Sequence, residues 1–137
     1  MTTTELAIDE WRLLLTALCA NSPAWIGTLG AADPYTVVFP TRFTWLRSLR
    51  WLPPDAWSGL ALLDLAEPGT VAAAAWEPLC GELRRAPPTV EGPVLFGRFA
   101  APGTGHSAVL NLVTDFEPKG TAAPVHTVHI RVERVRD

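Results

Sequence analysis

At 137 residues, 48% hydrophobic and 18% charged, with a formal net charge of −3, the chain has the composition of a globular protein and is too apolar to be disordered. That length suits a single domain over residues 1–137, one that buries roughly two-thirds of its unfolded surface and needs neither disulfide nor metal for stability.

The first predicted element is a helix over residues 3–20. Leu6, Ile8, Trp11, Leu14, Leu15 and Leu18 recur at near-helical spacing, and Thr3 or Thr4 is available as N-cap. Glu5 suits the positive helix end, and Ser22-Pro23 stops the helix. AWIGTLG and YTVVFP flank the turn-rich AADP and predict a hairpin of strands at 24–29 and 35–39.

The segment from Thr41 to Leu52 reads as a strand. Thr41, Phe43, Trp45, Arg47, Leu49 and Trp51 alternate with Arg42, Thr44, Leu46, Ser48, Arg50 and Leu52, and only Arg47 and Leu46 break the pattern. Pro53-Pro54 ends it in a turn. Residues 56–66, AWSGLALLDLA, predict a short helix. A second helical stretch runs over 70–86, where Trp76, Leu79, Cys80 and Leu83 mark one buried face. Pro78 either kinks it or opens a new helix from its first turn.

GPVLFGRF, HSAVLNLVTDF and VHTVHIRVERV predict a three-stranded antiparallel meander joined by APGTG and EPKGTAAP. Pairing Leu112 with Val128 sets Leu110 against Ile130 and Ala108 against Val132. On the same reasoning Phe96 meets Leu110, and Val94 meets Leu112. One face is then Val94, Phe96, Leu110, Leu112, Val128 and Ile130. The other, mixed, face carries Leu95, Phe99, Val109, Asn111, Val113, Thr127, His129 and Arg131. The predicted fold is α+β: an antiparallel sheet, made of the C-terminal meander plus an N-terminal hairpin or strand, packed on an N-terminal helix and central helices. A cone of helix and curved sheet suits this order of elements.

Basic charge is concentrated in residues 41–52, which hold Arg42, Arg47 and Arg50 and no acid. Nucleic-acid binding draws its affinity from basic charge over a whole face, which this chain lacks, so a nucleic-acid partner is not expected. No apolar run approaches the roughly 20 residues of a membrane helix, and the N-terminus does not resemble a signal peptide, so the expected location is the cytoplasm with no membrane partner. Ten of the eleven basic residues are Arg, a bias that suits a GC-rich bacterial genome.

Cys19 and Cys80 belong to no zinc-knuckle spacing and read as small buried hydrophobes, with a disulfide left open. His126 and His129 are three apart on a strand, so they face opposite sides and share no metal. Nucleophile elbow, phosphate loop and zinc-protease motifs are absent, and no cofactor is expected. Asp64 and Glu67 read as solvated acids at an exposed helix end. Two functional expectations follow. The first is a non-catalytic protein-interaction domain, self-associating or part of a complex, with Arg42, Trp45, Arg47, Arg50, Trp51, Leu95 and Phe99 as its surface; Trp and Arg favour such a role. The second is a small-molecule-binding domain or small cone-type enzyme, with a pocket between sheet and helices lined by His129, Asn111, Arg131, Arg98 and Trp45.

Overall fold

The computed structural model describes residues 6–20, 37–38, 43–52 and 58–134. Helix α1 (Ile8–Ala20) is followed by β1 (Val37–Val38), β2 (Leu46–Leu52) and β3 (Ser58–Leu65). A 3-10 turn (Ala73–Trp76) then runs into the single-turn helix α2 (Glu77–Cys80). The chain closes with β4 (Arg84–Thr89), β5 (Gly92–Ala101), β6 (His106–Thr114) and β7 (Val125–Arg134). The strands form one antiparallel sheet in the order β1-β2-β3-β7-β6-β5-β4. Antiparallel strands with helices on one face make this an α+β fold, as predicted.

Side chains alternate across the sheet, and one set forms the core. Leu49, Ala61, Leu63, Val128, Ile130, Val132, Ala108, Leu110, Leu112, Leu95 and Phe99 pack with Trp11, Leu14, Leu15 and Leu18 of α1 and with Trp76, Leu79 and Cys80. From Trp11 to Leu18 the periodicity that predicted α1 is thus the stripe it buries, whereas the helix starts at Ile8, later than predicted, and Leu6 precedes it, with Leu6 and Ile8 only partly buried against the core. The predicted N-terminal cap of α1, Thr3 or Thr4, lies outside the described residues, and Asp9 and Glu10 occupy the first turn of the helix.

Three sequence expectations are corrected. Residues 58–65 are a strand, not a helix, and lie between β2 and β7. A short run apolar at nearly every position does not separate the two by periodicity, and a central strand accommodates such a run as readily as a helix does. Asp64 is therefore on a strand, where it accepts a 2.8 Å hydrogen bond from Ser48 Oγ. The second helical stretch is also shorter than expected. The 3-10 turn and α2, with Pro78 in its first turn, end at Gly81 (φ 72°), and Arg84–Thr89 is an edge strand. Proline suits an edge, where its missing N–H leaves no ladder bond unmade.

The third correction is register. β6 and β7 pair as predicted, Leu112 with Val128, Leu110 with Ile130 and Ala108 with Val132. β5 is shifted by one residue: Leu95 faces Leu112 and Gly97 faces Leu110. The loop of residues 102–105 closes the pair Ala101–His106, with Gly103 and Gly105 at positive φ and the Thr104 hydroxyl donating to Ala101 O at 2.8 Å. Packing explains the shift. α2 lies against Gly97, where an added Cβ would sit 2.6 Å from Cys80 Sγ. Leu95 and Phe99 therefore fall in the core, and Val94 and Phe96 move to the other face.

The predicted hairpin partner at 24–29 and the turn at Pro53-Pro54 lie outside the described residues. Of the predicted Thr41–Leu52 strand, Leu46–Leu52 is strand. Its two pattern-breaking residues mark a β-bulge: Leu46 pairs with Leu65, Ser48 with Asp64, and Arg47 is the extra, exposed residue between them. The bulge places both Leu46 and Leu49 in the core.

Candidate functional site

The face opposite the helices is concave. Glu91, at the β4–β5 turn, lines the same cleft as Ser48 and Arg50 of β2. In a flat sheet those elements would be roughly 20 Å apart, at about 4.8 Å per strand. The cleft has a volume of only about 320 Å³, so the sheet must curl to close it. Val94, Val109 and Val113 are buried on this face although they lie outside the core that packs on the helices. Curvature crowds them against one another.

Two clefts share this concave surface, and His129 lines both. The first, about 320 Å³, is polar, with Ser48, Arg50, Asp64, Glu91 and Thr127. The second, about 330 Å³, is largely apolar, with Leu60, Ala86, Pro87, Val94 and Val113 beside Asn111 and Arg131. Register explains the arrangement. Asn111, His129, Leu62 and Arg50 stand in one row across β6, β7, β3 and β2. The groove is thus polar at its β2–β3 end and apolar at its β4–β5 end, with a half-buried imidazole at the junction.

Of the residues expected to line a ligand pocket, His129, Asn111 and Arg131 are brought together here. Arg98 is on the same face but one strand further out. It donates to Ser107 Oγ at 2.8 Å and lies 3.4 Å from Glu133, whose other oxygen accepts from Arg131 Nε at 2.6 Å. Glu133 therefore holds both guanidiniums and leaves Arg50 as the cation closest to the polar cleft. Sequence reasoning named Arg50 only as an interface residue. It missed Ser48 and Leu60, since only the strand order brings β2 and β3 beside β7, and it placed Thr127 on the mixed face without naming it as a site residue.

Trp45 is on the opposite side. It stacks on Trp11 (centroids 4.4 Å, 18° between planes) and on Phe43 (5.0 Å, 26°), and its Nε1 donates to Glu10 Oε1 at 2.6 Å. Trp76 meets Trp11 edge-on at 5.7 Å. Beside these rings is a cleft of about 360 Å³ between the start of α1, the Thr44–Trp45 turn and the segment Leu65–Val71. The pocket between helices and sheet is thus separate from the His129 groove, contrary to the single pocket expected. Leu95 and Phe99, expected on an interface, are buried under the helices. Arg42 and the side chain of Trp51 lie outside the described residues.

Both thiols are free and buried. Burial pushes each to about 11, and Glu77 adds to the rise at Cys80. A nucleophilic role for Cys80 finds no support, since a reactive cysteine needs its thiol lowered. His126 pairs with Asp115 at the sheet end, away from His129. Among the described residues, no group of three or more His, Cys, Asp or Glu converges as a metal site, and no helix is long and apolar enough to cross a membrane. Comparison with family models, with curated proteins and with solved structures returns no match.

Proposed function

We propose that the protein is a small-molecule-binding domain whose ligand lies along the concave groove. The apolar part of the ligand occupies the lobe of Leu60, Pro87, Val94 and Val113. A polar head reaches Arg50, Ser48 and Thr127, and His129 and Asn111 orient the junction. The observation that carries this reading is His129 as the common wall of a polar and an apolar cleft, the few-polar-groups-on-an-apolar-surface pattern of ligand sites. The test is a ligand-observed NMR screen of a fragment library against the wild type. Hits with an apolar body and a hydrogen-bonding head should weaken at least tenfold in both His129→Ala and Arg50→Ala. Hits unaffected by both substitutions would overturn the assignment.

A second reading, a protein-interaction domain that self-associates or joins a complex, rests on a different observation. Leu60, Leu62 and Phe96 are only half-buried on a face that no described element covers. Native mass spectrometry separates the two. A dimer broken by Leu62→Lys supports the interaction reading, whereas a monomer carrying a small additional mass supports the ligand.

A further inference from the structure

The polar cleft of the concave groove holds charges that do not neutralise one another. Arg50, Asp64 and Glu91 all line it, yet among the described residues none of the three forms an ion pair. Elsewhere on the same face opposite charges do meet, where Glu133 takes up both Arg98 and Arg131. Register accounts for the separation. Arg50 pairs with Leu62 and Ser48 pairs with Asp64, so Arg50 and Asp64 stand on a cross-strand diagonal, roughly 7–8 Å apart. Asp64 is held there by Ser48, only 6% exposed, whose Oγ donates to Asp64 Oδ2 at 2.8 Å. Asp64 Oδ1 and the hydroxyl of Thr127, the partner of Asp64 on β7, have no hydrogen bond among the described residues.

Separated charges of opposite sign set a field across the cleft. A lone carboxylate meets Arg50 but also two acids, and a lone ammonium meets the acids but also Arg50. A head that carries both charges satisfies each end at once, with charge-assisted hydrogen bonds of about 2.8 Å on either side spanning the gap that the side chains leave open. Beyond the head the groove is aliphatic. Leu60, Ala86, Pro87, Val94 and Val113 line the neighbouring cleft, and among the described residues no aromatic ring joins them. His129 lines both clefts, so a chain leaving the head passes the imidazole to reach this lobe. Arg50 and His129 are two strands apart in one row, roughly 10 Å at about 4.8 Å per strand, so the passage takes a long side chain.

We propose that the ligand of the concave groove is a zwitterion, an α-amino acid with a long aliphatic side chain; the inference rests on the reading of the groove as a small-molecule site and adds the chemistry of the head. The carboxylate is placed against Arg50, and the ammonium against Asp64, Glu91 and the Thr127 hydroxyl. The side chain runs along Leu62 and past His129 into the aliphatic lobe.

The test uses four probes built on one hydrocarbon chain at pH 7, read by titration of the backbone amide signals of Asn111, Thr127 and His129 in 15N NMR spectra. L-2-aminooctanoate carries both charges. Octanoate lacks the ammonium, heptylamine lacks the carboxylate, and octanamide is neutral. L-2-aminooctanoate should shift the signals saturably, with the other three at least tenfold weaker. From L-norleucine through L-2-aminoheptanoate to L-2-aminooctanoate, affinity should rise about threefold per methylene as the chain enters the lobe. Arg50→Gln should weaken L-2-aminooctanoate about tenfold and heptylamine hardly at all. Asp64→Asn keeps an acceptor for Ser48 and should weaken L-2-aminooctanoate while sparing octanoate. Octanoate, heptylamine or octanamide binding as tightly as L-2-aminooctanoate, and weakened by His129→Ala, would overturn the zwitterion and leave the groove standing as a small-molecule site. No saturable shift by L-2-aminooctanoate, or its full affinity in the folded Arg50→Gln/Asp64→Asn double variant, would overturn the proposal as well, whereas the groove itself falls only if the fragment screen yields no hit that His129→Ala weakens.

Discussion

The two faces of the sheet are built from the same strands, one residue apart, yet they obey different rules. On the helix-covered face Ala108, Leu110, Leu112, Val128 and Ile130 are fully buried and apolar without exception. On the concave face Val109 and Val113 are nearly as buried, but they alternate along β6 with half-buried Asn111, and on β7 Thr127, His129 and Arg131 share that face. Burial alone does not distinguish the faces. What does is the covering: side chains of α1 and α2 exclude polar groups from one face, whereas curvature crowds the other and leaves its polar groups access to a groove.

Substitutions should separate the faces by size of effect. The largest loss is expected from Trp11→Ala, which empties a fully buried site between Trp45 and Trp76; about 3–5 kcal/mol by urea unfolding is expected for such a truncation. Gly97→Ala should follow at about 1–3 kcal/mol, because the new methyl group meets Cys80 Sγ and the Cys80 carbonyl. Adding Cys80→Ala should recover only part of that loss, since the carbonyl remains. Full recovery would mean that the sulfur alone sets the spacing of α2 from β5.

A separate effect, absent at neutral pH, comes from alkaline titration. Both thiols titrate higher in the folded protein, near 11 against a reference of 9.0. The native state therefore holds its protons more tightly, and their contribution is complete below pH 9 and lost as pH rises through 11. Urea midpoints of the wild type should fall more steeply over that range than those of a Cys19→Ala/Cys80→Ala variant; equal slopes would show that the thiols do not contribute. The smallest change in stability is expected on the concave face, where His129→Ala should stay within about 0.5 kcal/mol while affecting ligand binding. A loss several times larger would make His129 a structural residue of the sheet.

Legibility followed the same division. Leu110 and Leu112 opposite Ile130 and Val128 were readable because a one-residue slip would expose all four. The β5 register was not, since Val94 and Phe96 are as apolar as Leu95 and Phe99, and the deciding residue, Gly97, has no side chain and is chosen by the approach of Cys80. The bulge was half-visible, because Leu46 and Arg47 interrupt the alternation where the strand gains its extra residue. For the groove, His129, Asn111 and Arg131 were named from their shared strand face, whereas Ser48 and Leu60 depend on a strand order that residues 58–65, read as a helix, had concealed. Trp45 was assigned to the wrong pocket, as the turn before β2 carries it to the helix side.

Local pattern by itself determined the stripe of α1, the three C-terminal strands and the pairing of β6 with β7, because those depend on periodicities of 3.6 and 2 within contiguous segments. The placement of β3 between β2 and β7, the register of β5 and the curl that brings Glu91 to Ser48 were decided only in the tertiary structure. Each depends on which surfaces meet across tens of residues of chain, and an apolar run offers the same side chains to a helix or to either face of a strand until a partner surface selects one.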